Sequence, residues 1–359
     1  MDEIRIGLVG ARRGLFVPMA CRIIGGMQVV AVHDTLEENA AAAAAEIPDC
    51  KVFGPDGWEA FLASGINAAV IASPIPFHAA QSIACLERGI HVLCEVTATA
   101  SLDEAMRLAS AANASSATYT LAENCCFLDG IELFKRITRA GLLGRVFHAE
   151  GSYLHDCRHL YCNPDGSRTW RGEGGLGVYC THPLGPILDI MDDRITQVTC
   201  VATPVDTVVP GMPGIGNHQM LLRTAKGGSI MLRVDHMSPQ PYRMQVQVQG
   251  SAGVCELIYG QDTEPRICMS GEHAWSPATP YIERFIPDRM APVAGADRLG
   301  HDTMEYWMLK EWAAALHDGT PVPIDVHRAL DYTLPGIVAQ ASALQGGVAL
   351  PVPDSRTWR

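Results

Sequence analysis

The sequence predicts two domains: a doubly wound α/β domain built on a parallel sheet, then an α+β domain with a large open, mostly antiparallel sheet. Three observations predict this. Short apolar runs alternate with helical patterns over the first 120 or so residues, which is the signature of parallel strands joined by right-handed crossovers. After Ala122 the pattern changes to longer alternating runs separated by glycine turns, which read as antiparallel strands. The 359 residues, 48% of them hydrophobic, suffice for two cores. The expected division is 1–123 and 124–359.

In chain order, Ile4–Val9 is the first strand and meets the turn GARRG (10–14), followed by an apolar helix to Ile24. The next strand, Gln28–His33, ends at Asp34. Ala68–Ala72, His91–Cys94 and Thr118–Ala122 continue the set, with helices between them that include the alanine run 40–45 and residues 101–113. In the second half a helix over Gly130–Ala140 precedes a strand over Arg145–Tyr153. An irregular loop follows at 157–170, then strands at 197–204, 216–224, 228–236, 242–250 and 253–258. A loop rich in Pro and Asp spans roughly 260–300, and helices at about 302–318 and 325–345 close the chain.

The formal charge of −12 disfavours nucleic acid and anionic membranes as partners. No apolar run is long enough to cross a bilayer, and the first strand begins at once with no leader pattern before it. A cytoplasmic protein is the expectation. Of twelve cysteines, Cys21, Cys85 and Cys94 sit in apolar patterns, as free thiols do in a reducing compartment. No CxxC spacing occurs, and no metal site is expected.

A glycine turn between the first strand and its helix holds a dinucleotide pyrophosphate, and an acid closing the second strand takes the ribose hydroxyls. Asp34 fits the second role, and its charge favours NAD over NADP. The turn is imperfect: GxGxxG spacing from Gly10 meets Arg12 and Leu15, leaving Gly10 and a displaced Gly14. Arg12 and Arg13 either neutralise phosphate or are solvated. Two further strand ends, SPIPFH (73–78) and CEVT (94–97), reach the same carboxyl edge where ligands bind. The cofactor set is therefore Gly10, Ala11, Arg12, Arg13, Gly14, Asp34, Ser73, Pro74, His78 and Glu95.

The chemistry is expected in WRGEGGLGVYCTHPLGP (170–186), where Tyr179 and His182 are three apart and share one face of a helical turn. Such a pair serves either proton transfer or simple core packing.

The order of glycine turn, Asp34, SPIPFH and HVLCE resembles the Gfo/Idh/MocA family of NAD(P)-dependent, mostly sugar-acting oxidoreductases. That family usually reads Glu-Lys-Pro after the fourth strand of this pattern, with the lysine aiding proton transfer. Here Glu95-Val96-Thr97 stands instead. The strings ENCC (123–126), EGSYLHDCR (150–158), WR (170–171), YCTHPLGP (179–186) and SPQPY (238–242) resemble one branch, the NAD-dependent glycosidases of the α-N-acetylgalactosaminidase type. The loop before Trp170 is shorter than that branch leads one to expect, so the sugar preference does not carry over.

The resemblance implies NAD as cofactor and a small sugar or glycoside as substrate, with a homodimer or homotetramer by analogy. Hydride removal at C3 acidifies the C2 proton and lets the C1 group leave, without the paired carboxylates of ordinary glycosidases. Tyr179 and His182 are then the catalytic candidates. Glu123, Arg171, Tyr242 and His155 are substrate-binding candidates, and Asn124, Trp170 and Arg171 join the cofactor set. Each has a plain alternative: Glu123 as a helix cap, Arg171 as a salt-bridge partner, His155 with Asp156 orienting the loop. Two other functions compete with a redox-neutral glycosidase or a 3-dehydrogenase: an ordinary NAD(P)-dependent sugar or polyol dehydrogenase, and a non-catalytic NAD-binding regulator. Val96 and Val178 count against the former, and the five polar residues Glu123, Arg171, Tyr179, His182 and Tyr242 against the latter.

Overall fold

A computed structural model describes residues 3–47, 49–173, 179–260 and 262–358. The chain divides into two compact units, Met1–Phe127 with Val293–Leu330 and Ser355–Arg359, and Leu128–Pro292 with Asp331–Asp354. The expected linear boundary at 123/124 lies close to the first break, but a linear division omits the segment 293–330, which returns to the first unit.

In the first unit β1 (Ile4–Val9), β2 (Met27–His33), β3 (Lys51–Phe53), β4 (Ala68–Ile71), β5 (His91–Cys94) and β6 (Tyr119–Leu121) form one sheet. Its order is β3-β2-β1-β4-β5-β6, with every pairing parallel. The order reverses between β1 and β4, which opens a crevice at their carboxyl ends. The strands read as largely apolar runs because both faces are covered: Leu8 and Val9, on opposite faces of β1, are both buried, as are Ala69 and Val70 of β4. The helices are α1 (Ala11–Gly14), α2 (Phe16–Ile24), α3 (Glu37–Glu46), α4 (Trp58–Leu62), α5 (Ile75–Leu86) and α6 (Leu102–Ala114). Ser101 and Glu104 start α6 with a reciprocal capping box. Gly7 is a strand glycine, as its place in the apolar run implies, and a Cβ there would lie 2.6 Å from the Phe61 ring.

In the second unit α7 (Asp129–Arg139), β7 (Val146–Leu154), α8 (Thr181–Met191), β8 (Ile195–Pro204), β9 (Ile215–Thr224), β10 (Ser229–Asp235), β11 (Arg243–Gly250) and β12 (Gly253–Tyr259) follow the expected pattern. The stretch 260–300, expected as loop, also holds β13 (Asp262–Met269), β14 (Ser276–Pro277) and the short α9 (Ile282–Phe285). Pro265 interrupts the apolar alternation there, yet its carbonyl still accepts from Ala278. A strand near a sheet edge tolerates proline in this way. With β15 (Leu350–Pro351) the order is β14-β13-β12-β11-β7-β10-β9-β8-β15. The sheet is antiparallel except for the β7–β10 pair.

Helices α10 (Met304–Asp318) and α11 (Val326–Leu344) close the chain, and the unit boundary falls inside α11. No helix among the described residues is long and apolar enough to cross a membrane.

Packing of α8 on β7 sets the geometry of the second unit. A Cβ at Gly151 would lie 2.7 Å from Ile187 and 3.3 Å from Pro183. Glycine leaves room for this close packing, and Tyr153 stands two residues further along the same strand face.

Candidate functional site

The glycine turn of the first unit is built to approach backbone closely. Gly10 has φ +85°, and a Cβ there would lie 2.6 Å from the Ala72 carbonyl at the end of β4. Gly14, displaced from the usual spacing, serves packing instead: its Cβ would meet Leu8 at 2.3 Å. Asp34 is buried, and its Oδ2 accepts from the Ala11 N–H at 2.8 Å while Oδ1 accepts from Leu36 N–H at 2.9 Å. The Asn39 amide donates to both oxygens at 3.3 Å, a neighbour that spacing did not single out. The second-strand acid thus ties itself to the turn.

Arg13, expected either to neutralise phosphate or to lie solvated, is instead an ion-pair partner. Its Nε is 2.9 Å from Glu95, and a terminal nitrogen is 3.9 Å from Glu305. Arg12, like Arg13, is exposed. Glu95 is correspondingly spent on Arg13. Ser73 donates to Gln81 at 2.6 Å, and Pro74 precedes α5 in extended backbone. His78 does not fit the direct cofactor role expected of it: it is 1% exposed, and both ring nitrogens are taken by backbone carbonyls.

Glu123 and Asn124 end the sheet side of this unit. Glu123 is fully buried, and its Oε1 accepts from the Cys125 N–H at 3.3 Å, the local capping role named as its alternative. Asn124 donates to Glu305 at 3.1 Å. Glu305 was not foreseen. It lies in the first turn of α10, 181 residues from Asn124, and no local pattern announces it. His301 holds it through Nδ1 at 2.6 Å and through its N–H at 3.1 Å. Burial pushes the Glu305 carboxyl up, but His301 outweighs it and holds the group below the usual range. His301 is raised by the same hydrogen bond.

In the second unit, five polar rings gather around Tyr153. Ring centroids of His182, His236, His155, Tyr242 and Tyr179 lie 4.8, 5.6, 5.8, 5.8 and 6.3 Å from it. The expected pair Tyr179 and His182 is in contact, edge to face at 5.3 Å, at the start of α8. His155 and Tyr242 meet at 5.3 Å, and the Tyr153 hydroxyl is 3.1 Å from His155 Nδ1. Tyr242 is pinned by Gly260, where a Cβ would fall 2.4 Å from its ring.

Asp156 does not pair with His155; it accepts from Arg158 at 2.6 and 2.8 Å, which holds its carboxyl down at about 2. Arg171 stacks on Trp170, with the guanidinium 4.1 Å from the ring, in place of the salt bridge considered for it. Trp170 also packs against Cys157, Tyr161, Val205 and Met237, so its ring serves this cluster. Gly174, Gly175, Gly177 and Val178 lie outside the described residues.

Tyr153 and His236 were missed. Tyr153 stood in the string EGSYLHDCR two residues before His155, so strand periodicity could have found it. His236 follows the last residue of β10, where Asp235 turns the chain by accepting from Met237 and Ser238 at 2.9 and 3.0 Å. Burial first, then the nearby His155, His182, His218 and Arg171, lower its pKa to about 3. It is a neutral imidazole whose Nε2 has no hydrogen-bond partner among the described residues.

Residues 4–123 match the model of the oxidoreductase family with an NAD-binding Rossmann fold, and 131–256 match the Gfo/Idh/MocA C-terminal domain. The chain belongs to the Gfo/Idh/MocA family. Residues 217–358 also match the glycosyl hydrolase 109 C-terminal domain. A glycosyl hydrolase family 109 protein of Solibacter usitatus is 26% identical over 98% of this chain and 88% of its own. One from Streptomyces niveus is 27% identical over 98% and 77%.

Among solved structures, an oxidoreductase domain protein from Kribbella flavida has TM-score 0.84 at 18% identity, covering 98% of this chain and all of that one. The WlbA dehydrogenase from Bordetella pertussis, in complex with NADH and UDP-GlcNAcA, has TM-score 0.80 at 19% identity, covering 98% of each chain. As a Gfo/Idh/MocA protein the chain is an NAD-dependent oxidoreductase. The tight turn at Gly10 and the acid at Asp34 suit that cofactor.

Proposed function

We propose that this Gfo/Idh/MocA protein cleaves a glycoside by a redox-neutral route that begins at C3 of the sugar. The observation that carries the reading is the ring cluster on Tyr153: three phenols and three imidazoles within a few ångströms. Ordinary glycosidases flank the bond with two carboxylates, whereas a route through a C3 ketone needs proton acceptors at the 3-hydroxyl and at C2. Glycosyl hydrolase 109 relatives along nearly the whole chain support the same choice.

When bound, NAD supplies an acceptor for the C3 hydride and later returns it. Gly10, Ala11, Arg12, Asp34, Ser73 and Pro74 would hold it, with Arg13 and Glu95 bracing the turn. Tyr179 and His182 carry the proton transfers at the 3-hydroxyl and at C2. Tyr153 hands its proton to or from His155 across their 3.1 Å hydrogen bond. His236, kept neutral by burial first and then by the nearby Arg171, donates or accepts a hydrogen bond without adding charge. Arg171 and Tyr242 orient hydroxyls.

An ordinary dehydrogenase is the second reading, and Val96 counts against it, since the family's usual proton-transfer lysine is missing there. The twelve free cysteines suit a cytoplasmic setting. Exposed Val201, Leu221 and Met231 on the open face of the second sheet favour pairing of two copies through that face. A panel of nitrophenyl glycosides tests the function: nitrophenol release without net reduction of NAD supports it. Reduction in step with product overturns it in favour of the dehydrogenase.

A further inference from the structure

A histidine that the reaction scheme leaves idle occupies the seam between the two strand-end loops of the first unit. His78 lies in the first turn of α5, just beyond β4. Its Nε2 is 2.7 Å from the Ser73 carbonyl oxygen, and its Nδ1 is 2.8 Å from the Thr97 carbonyl oxygen. A carbonyl oxygen accepts and never donates. Neutral imidazole carries one N–H and one bare nitrogen lone pair, so it satisfies one of these partners and points a lone pair at the other. With the ring 1% exposed, water is poorly placed to mediate. Only the doubly protonated ring makes both bonds.

We infer that His78 is a buried imidazolium that works as a positioning residue, its two N–H groups locking the Ser73 and Thr97 loops at the crevice where NAD binds. The inference rests on the NAD-binding role of that edge and adds to it the group that fixes the edge in shape. It also explains the mixed composition of SPIPFH: the prolines stop the strand and the histidine fastens the stop.

The charges around the ring agree. Burial pulls its pKa down, but the Cys94 sulfur of β5 and the two carbonyls outweigh that and raise it to about 9. Tyr119 of β6 and Cys85 of α5 face Cys94 in turn, and among the described residues no carboxylate pairs with His78. Because the folded value lies above the ordinary one, the clamp is complete below about pH 6.5 and is lost as pH rises through about 9.

Side-chain nitrogen NMR of the full chain, with labelled histidine, reads the protonation state directly. The His78 signals are assigned by their loss in His78→Gln, or by coupling to Phe77 in a His148→Gln background if the first variant does not fold. Two N–H-type nitrogens at neutral pH are expected, and one bare nitrogen there overturns the inference whatever NAD does. NAD titration supplies the positioning test. The dissociation constant of the unmutated protein should rise by about tenfold between roughly pH 7 and pH 10, with weaker and pH-flat binding in His78→Gln. Identical pH profiles for the two proteins refute the positioning role while leaving NAD dependence intact.

Discussion

Replacing Asp34 separates its two jobs, reading the cofactor and bracing the turn. The buried carboxylate accepts from Ala11 and Leu36 N–H groups at 2.8 and 2.9 Å. A 2′-phosphate placed about 5 Å away would be repelled by about 3 kcal/mol per unit charge at an effective dielectric near 20, before salt screening. After screening, roughly 10²-fold discrimination against NADP is expected. Asp34→Asn removes the charge yet keeps one carbonyl oxygen for one of the two N–H groups. It should lose the NADP discrimination at a cost of about 1.5–3 kcal/mol for one charge-assisted hydrogen bond. Asp34→Ser should narrow the cofactor ratio to a similar extent but destabilise the turn by about twice as much. Fluorescence titrations with both dinucleotides and urea unfolding measure the two quantities separately. If the unmutated protein binds NADP as tightly as NAD, or Asp34→Asn keeps full discrimination, the charge argument fails.

Tyr179→Phe and His182→Ala should each slow turnover by about 10²–10⁴-fold, the range for lost general acid–base catalysis, with NAD binding near normal. Steady-state assays beside NAD titrations check this. Gly10→Ala should destabilise the fold by at least about 1–2 kcal/mol from the left-handed backbone alone, and more from the 2.6 Å approach to Ala72. Urea unfolding shows it, and an unchanged midpoint would mean the turn is not as tight as described.

Much of the fold was legible because strand length, glycine turns and apolar runs are local signals. β1, β5 and α6 stand within a residue or two of where the pattern puts them. The strand β13 was hidden by Pro265 and a charged run, since alternation is the only local sign of an edge-side strand. The return of residues 293–330 to the first unit leaves no local trace at all. The site divides along the same line. Tyr179, His182, His155 and Tyr242 came from spacing and family strings, and the structure gathers them. Glu305 and His236 stayed unseen because burial and remote partners, not sequence neighbours, give them their roles. The sequence did not show that Arg13 pairs with Glu95 or that both ring nitrogens of His78 meet backbone carbonyls, because a charge or a ring nitrogen does not reveal what it is spent on.

The most direct test of the central claim is the label at C2. Product made from a turned-over glycoside in heavy water should carry deuterium at C2, with no net reduced cofactor, because oxidation at C3 makes that proton exchangeable before the C1 group departs. An unlabelled C2 would show direct displacement at C1, and reduced cofactor accumulating with product would show a simple dehydrogenase. Either result contradicts the redox-neutral account.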